Sequence, residues 1–238
     1  MTTPPDKWGN DALTAYLEDY RRNQWAAFAN KGQAITDLIK IDSLFLKLLE
    51  NAVNPKPLLP MGFMLRSHSA YRSAVGAIMG GQQYEAQALL RLCLEHAAYG
   101  FYIGDDVDLW MLWMNRTESK ASRDEVRKKF THAKIKKYIS SRAPKLAATF
   151  EKLYERMIDF GAHPNEQGYS VNSEMHRVDN TVHINSVYLH GDGGPLDLGL
   201  RTAAQIGLWA LHIMQLLYPT RFDLLGIRLA LEQLRTRF

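Results

Sequence analysis

Apolar residues recur every three to four positions along most of the chain, which is the spacing of one face of an α-helix. This pattern predicts a first helix over residues 8–29 and a second over residues 33–51. Three prolines between residues 54 and 60 interrupt it, because proline lacks the backbone donor that a helix interior needs. The spacing then resumes and predicts further helices, the last two after about residue 196. The expected fold is mainly α, an antiparallel multi-helix bundle of about seven to nine helices.

We expect residues 1–238 to form a single helical domain, since a chain of 238 residues can build one large core. Residues 1–53 would form an N-terminal helical pair, and residues 61–238 would form the bundle core. Gly80-Gly81 predicts a tight turn at the end of a third helix, over residues 63–79. The following helix should therefore return antiparallel beside it.

Residues 168–194 break the helical spacing and are rich in Val, Thr, Asn and His. Within them, the pair Asp179-Asn180 is typical of a two-residue turn and predicts an inserted β-hairpin near residues 169–190. In that register His176 faces His183, with Glu174 on the same face. Two histidines and a carboxylate can bind zinc. The alternative is a pair of solvent-facing histidines, and we assign no metal site.

The helix predicted over residues 84–103 is apolar around most of its circumference, yet it contains Arg91, Glu95 and His96. A charge in a protein core is costly unless it is paired or used. We therefore expect the functional site here. Arg91 and Glu95 lie four residues apart, which places them within salt-bridge reach on one helix face.

Two interpretations of this pair remain open. In the first, Arg91 is the cation of a pocket for an anion or a nucleotide, framed by Tyr84 and Tyr102. In the second, the pair is a buried structural contact that fixes the helix register, with Arg66 or Arg72 of the preceding helix as a further partner.

Arg91-Leu-Cys-Leu-Glu-His96 also resembles the Arg-x4-His motif of HEPN-type helical ribonucleases. That resemblance implies metal-independent RNA cleavage by Arg91 and His96, often in a dimer groove. The chain departs from the family at Leu92, where a polar residue is usual. A regular helix also places His96 about 140° around the axis from Arg91.

A second resemblance combines Leu90-Arg-Leu-Cys-Leu-Glu95 with the segment Phe160-Gly-Ala-His-Pro-Asn-Glu166. Together they look like a group of uncharacterised bacterial helical proteins that pair an Arg-x-x-x-Glu central helix with a later His-Pro-Asn loop. The resemblance covers roughly residues 60–215. It implies that Arg91, Glu95 and His163 meet in space, with Asn165 beside them, and it supplies no activity. Some relatives are associated with phage defence.

The chain has a formal net charge of +4, but the charge is unevenly distributed. Ten basic and two acidic residues lie between Ser119 and Lys145, so this segment carries +8 and the remainder −4. The segment is amphipathic, which is typical of a solvated helix face, and such a patch can also attract nucleic acid. The candidate polyanion-binding residues are Arg127, Lys128, Lys129, Lys134, Lys136 and Lys137.

Composition limits the class of protein. The hydrophobic share of 46% is that of an ordinary globular protein, and the single cysteine excludes a disulfide framework. The first residues lack the pattern of a signal peptide, and the longest apolar run, residues 203–218, is short for a bilayer span. We expect a cytoplasmic protein without a membrane segment. Apolar stripes in excess of one bundle favour a homo-oligomer.

The candidate catalytic residues are therefore Arg91, Glu95, His96 and His163, and no cofactor is expected. The leading functional hypothesis is a binding or regulatory module with a polar Arg/Glu/His pocket, with a role in phage defence as one possibility. The alternatives are a HEPN-like ribonuclease and a structural protein whose polar stripe only fixes helix register.

Overall fold

The computed structural model describes residues 4–104 and 106–238, and it confirms a mainly α fold with one inserted hairpin. None of the described helices combines the length and apolarity that a bilayer span requires. The first half of the chain forms the helices α1 (Ala12–Asn30), α2 (Gly32–Leu49), α3 (Leu59–Met79), α4 (Gln83–Ile103) and α5 (Val107–Met114), followed by a 3₁₀ turn at Asn115–Thr117.

The second half adds a further set of helices and the two strands. These are α6 (Lys120–Lys129), α7 (His132–Arg142), α8 (Pro144–Met157), a π-helical turn (Ile158–Ala162), α9 (Glu166–Val171), β1 (Ser173–Val178), β2 (Thr181–Ser186), α10 (Gly194–Gln215), α11 (Pro219–Leu224) and α12 (Ile227–Arg235).

Helix α4 lies at the centre of the fold and packs mainly against α3 and α10. The turn between α3 and α4 contains Gly81 at φ +98°, a conformation that favours glycine. At the α3–α4 interface the Ser67 hydroxyl donates to the Cys93 carbonyl over 2.9 Å. The thiol of Cys93 is fully buried, and burial raises its pKa to about 12. The predicted antiparallel return of α4 is therefore present.

Helix α10 forms the other central element of the core. Its Trp209 is buried, packs against the ring of Phe150 on α8 at 5.2 Å, and donates through Nε1 to the Leu146 carbonyl over 2.9 Å. Two residues before Trp209, Gly207 faces α2 and α3 so closely that a Cβ would stand 2.7 Å from Ile41 and Tyr71. The two central helices thus bind their neighbours through close, specific contacts.

The hairpin has the predicted register. Asp179 has φ +52° in the turn, His176 pairs with His183, and Glu174 pairs with Asn185. Apart from Ser173, both strands are exposed along their whole length. The predicted first strand began too early, since residues 166–171 form α9. The side chain of Asn165 accepts from the Gln167 amide and so caps that helix.

Two other predicted boundaries were wrong, each for a local reason. Helix α3 begins at Leu59, before the expected start, because Pro60 is tolerated in the first turn of a helix. The basic segment contains a break at Ala143, between α7 and α8, and a further one at Phe130-Thr131, where Thr131 caps α7. The final helix is divided in two at Gly226, which has φ +66°. From the sequence, either Asp105 or Asp106 can cap the short helix that follows α4; Asp106 caps α5, and Asp105 lies outside the described residues.

Candidate functional site

The predicted pair Arg91–Glu95 is present on α4. Arg91 Nε donates to Glu95 Oε1 over 2.8 Å, and the two side chains are 28% and 33% exposed. The pair is therefore partly open to solvent, in contrast to a sealed core ion pair. Burial works to lower the pKa of Arg91, but the hydrogen bond and charge attraction to Glu95, together with the contact with Tyr154, outweigh this and raise it, so Arg91 stays charged.

Helix α8 contributes a second partner of Arg91. Arg91 Nη2 donates to the Tyr154 hydroxyl over 2.7 Å, and the guanidinium carbon lies 4.9 Å from the centre of that ring. Burial raises the pKa of Tyr154, and the Arg91 charge offsets this only in part, so the phenol stays protonated. Glu95 and Tyr154 together fix the orientation of the guanidinium.

Helix α7 brings a histidine to the same place. The ring of His132 stacks on the ring of Tyr154 at 4.1 Å, and its Nε2 lies 3.6 Å from Glu151 Oε2. The other oxygen of Glu151 binds Lys136 Nζ over 2.8 Å. The carboxylate of Glu151 thus lies between a lysine and an imidazole, and neither Glu151 Oε2 nor His132 Nε2 has a hydrogen-bond partner among the described residues.

One open cavity of about 210 Å³ lies between α4, α7 and α8, and its lining includes Arg91, Glu95, His132 and Tyr154, with Tyr99 and Phe130 in its wall. Three polar atoms there have no hydrogen bond to a described residue: Arg91 Nη1, His132 Nδ1 and Glu95 Oε2. They are a cationic donor, an imidazole nitrogen and a carboxylate oxygen. The guanidinium can still bind an anionic group at its unbonded nitrogen, although Glu95 offsets part of its charge.

His96 and Tyr102, although on the same helix, do not line this cavity. His96 Nδ1 bonds to the Leu92 carbonyl over 2.8 Å, and its ring lies near Phe63 on α3. The Tyr102 hydroxyl donates to the Lys129 carbonyl over 3.2 Å. The geometry therefore separates His96 from Arg91, as the helical spacing indicates.

The His-Pro-Asn loop also lies away from the Arg91 cavity. His163 is exposed, and among the described residues its one hydrogen-bond contact is with the neighbouring Pro164 carbonyl. Tyr84 packs against Gly161 and Gly168, two helical turns before Arg91. The implied meeting of His163 with Arg91 and Glu95 is thus not present, because the turn after α8 directs the loop toward the start of α4.

The arginines of α3 are not partners of the Arg91–Glu95 pair. Arg66 is exposed and has no polar contact with a described residue. Arg72 Nε binds Asp42 Oδ1 over 2.7 Å, and His68 Nε2 donates to the same oxygen over 2.6 Å. Burial works to raise the pKa of Asp42, and its bonds to Arg72 and His68 outweigh this and lower it. Arg72 thus belongs to a separate α2–α3 contact.

The basic candidates flank the cavity on α6 and α7. Lys136 lies beside it through Glu151, Lys134 Nζ donates to the Lys128 carbonyl over 2.6 Å, and Arg127 lies 3.6 Å from Asp124. All of the named candidates except Lys136 are exposed, namely Arg127, Lys128, Lys129, Lys134 and Lys137. Positive charge therefore lies on the two helices next to a cavity that contains the guanidinium of Arg91 and the carboxylate of Glu95.

The hairpin histidines form no metal cluster. Among the described residues, no group of three or more His, Cys, Asp or Glu side chains is arranged to hold a metal ion. His176 lies 3.6 Å from Glu174 on its own strand, and both are exposed. This arrangement corresponds to the solvent-facing alternative.

Sequence reasoning missed His132, Glu151 and Tyr154. All three lie on helices that meet α4 only through long-range packing. One usable signal was present: His132 follows Thr131, a good helix cap, and Lys136 lies four residues further on the same face.

Comparison with known proteins gives no information on function, so function is inferred from the site. No model of a protein family matches the chain, and neither a curated protein nor a solved structure is similar to it.

Proposed function

We propose that the protein binds single-stranded RNA, with a phosphate of the RNA held in the Arg91–His132 cavity. The observation that carries this proposal is the unpartnered Arg91 Nη1, part of a guanidinium already oriented by Glu95 and Tyr154 and facing an open cavity. An oriented arginine fork matches the geometry of a phosphate group better than a lysine does.

The surroundings of the cavity favour RNA over an isolated anion. Exposed lysines and arginines of α6 and α7 lie beside the cavity and supply positive charge along a path longer than one phosphate. Tyr99, which is partly exposed, is in the cavity wall, where an unstacked base can pack against an aromatic side chain. Single-stranded RNA offers both phosphates and unstacked bases.

Arg91→Ala should weaken the binding of a short fluorescent single-stranded RNA by at least about tenfold, because it removes the oriented phosphate donor. Fluorescence anisotropy at fixed low salt measures the dissociation constant. The matched control is Arg66→Ala, which removes the same charge from an exposed site on α3. It should change the dissociation constant by less than about twofold. Equal effects of the two variants would contradict a specific phosphate site.

A second candidate function, RNA cleavage at the same cavity, is favoured by the Glu151–His132 pair. The carboxylate lies 3.6 Å from Nε2 of the ring, and Nδ1 has no hydrogen bond to a described residue, so Nδ1 is the nitrogen proposed as the base. His132 Nδ1 would take the proton of the 2′-hydroxyl as its oxygen attacks phosphorus. Arg91 would stabilise the charge on the phosphate, and the departing 5′-oxygen would take a proton from water.

Under this candidate, wild-type protein cleaves single-stranded RNA in the presence of a chelator, and His132→Asn lowers the rate by about a hundredfold or more. His96→Asn is the matched control and should leave the rate unchanged. The reverse ranking of the two variants would favour the Arg91–His96 pair of the ribonuclease motif. Binding without cleavage by the wild type would remove the second candidate and leave the first.

A further inference from the structure

A second cavity, of about 150 Å³, lies one to two helical turns along α4 from the Arg91 site. It is a partly open cavity between the starts of α4 and α10, the π-helical turn and the base of the hairpin. Its walls include Gln83, Gln87, Phe160, Val171, Pro195 and Leu198. The proposed RNA site uses none of these residues.

Two glutamine side chains in this wall have a fixed orientation. Gln83 Nε2 donates to the Ile78 carbonyl over 2.9 Å, and Gln87 Nε2 donates to the Gln83 carbonyl over 3.1 Å. A backbone carbonyl can only accept, so these bonds identify the nitrogen and the oxygen of each amide. Both amide oxygens therefore point away from the backbone bonds.

Neither amide oxygen has a partner. Gln83 and Gln87 are 6% and 7% exposed, and the Oε1 atoms of both have almost no accessible surface and are bonded to no described residue. A buried acceptor without a donor is rare in folded proteins and costs stability. Two such acceptors, one helical turn apart in the wall of one cavity, indicate a missing donor.

The neighbouring helix makes room for one of these oxygens. Gly199 on α10 lies so close to Gln83 Oε1 that a side chain there would overlap it. The Gln83 amide thus occupies space that a larger residue at position 199 would take.

The chemistry of the wall restricts the donor. No Asp, Glu, Lys or Arg among the described residues lines this cavity, and Phe160, Val171, Pro195 and Leu198 are apolar. A charged ligand would lack a counter-charge there. The volume is that of an engineered cavity known to take up benzene, about 150 Å³. A single ring therefore fits, and a large ligand does not.

We propose that this cavity binds a neutral aromatic nitrogen heterocycle with an exocyclic amino group, whose N–H groups donate to Gln83 Oε1 and Gln87 Oε1. The ring lies against Phe160 and Leu198. The amino group satisfies the two acceptors that the protein leaves unpaired.

The test uses 2-aminopyrimidine as the probe and 2-methylpyrimidine as the control, because the methyl group has nearly the same size and no N–H. In ¹H–¹⁵N NMR titrations of the full chain, 2-aminopyrimidine should shift the amides around Gln87 and Leu198 with a dissociation constant in the millimolar range. The control should bind at least about tenfold more weakly. Equal binding of both compounds, or no shift with either because the cavity holds only water, would overturn the proposal.

Gln87→Met removes one acceptor and keeps the side-chain volume. It should weaken the binding of 2-aminopyrimidine at least about tenfold. The melting temperature should be unchanged or higher, since an unpaired buried acceptor is removed. Gln233→Met, an exposed substitution on α12, is the control and should have no effect on binding. If Gln87→Met does not fold, Leu198→Trp serves instead, since it fills the cavity from its exposed side. Unchanged affinity in the folded variant would contradict the proposal.

Discussion

Trp209→Ala should lower the free energy of unfolding by about 3–5 kcal/mol. The side chain is 2% exposed and joins α10 to α8 through its contact with Phe150 and its hydrogen bond to the Leu146 carbonyl. Removing the indole leaves a cavity at this joint and an unpaired carbonyl. Chemical denaturation followed by far-ultraviolet circular dichroism measures the change.

Trp25→Ala is the control for this result. Trp25 is 54% exposed, and the Arg21 guanidinium carbon lies 4.1 Å from the centre of its ring. Losing that contact should cost less than about 1 kcal/mol. A similar loss in both variants would mean that α10 and α8 are not joined by a tightly packed core.

Gly161→Ala should cost about 3 kcal/mol or more, from two sources that act together. Gly161 has φ +145° in the π-helical turn, a conformation that other residues rarely adopt. A Cβ there would also overlap the Tyr84 carbonyl, which belongs to the backbone of α4 and cannot rotate away. Chemical denaturation again gives the magnitude.

Gly191→Ala provides the comparison for this change, because no atom lies within 4 Å of the position its Cβ would occupy. It should be neutral or slightly stabilising, through the reduced freedom of the unfolded chain. If Gly161→Ala changed the free energy of unfolding as little as Gly191→Ala, the result would contradict the close approach of this turn to the Tyr84 carbonyl.

The features predicted correctly from sequence are those set by local geometry. Arg91 and Glu95 meet because residues four apart on a helix always share a face. His176 and His183 pair because a two-residue turn fixes the register of a hairpin. Neither result depends on how the rest of the chain packs.

The features missed are those that depend on long-range packing. His132 and Tyr154 reach Arg91 from two other helices, and periodicity within a helix gives no information about which helices meet. His163 is held away from Arg91 by the turn at Gly161, whose φ cannot be read from the residue type alone. The family resemblance, a homodimer and a cytoplasmic location stay predictions.

The buried thiol at the α3–α4 interface makes the chain convenient for site-specific labelling. Cys93 is the single cysteine, and a fully buried group with a pKa of about 12 offers almost no thiolate at neutral pH. A dye or spin label can therefore be attached through a cysteine introduced on the surface, with Cys93 left in place. Reaction of native Cys93 with a thiol reagent then requires α3 and α4 to separate locally. The rate of that reaction therefore reports how often the α3–α4 interface opens.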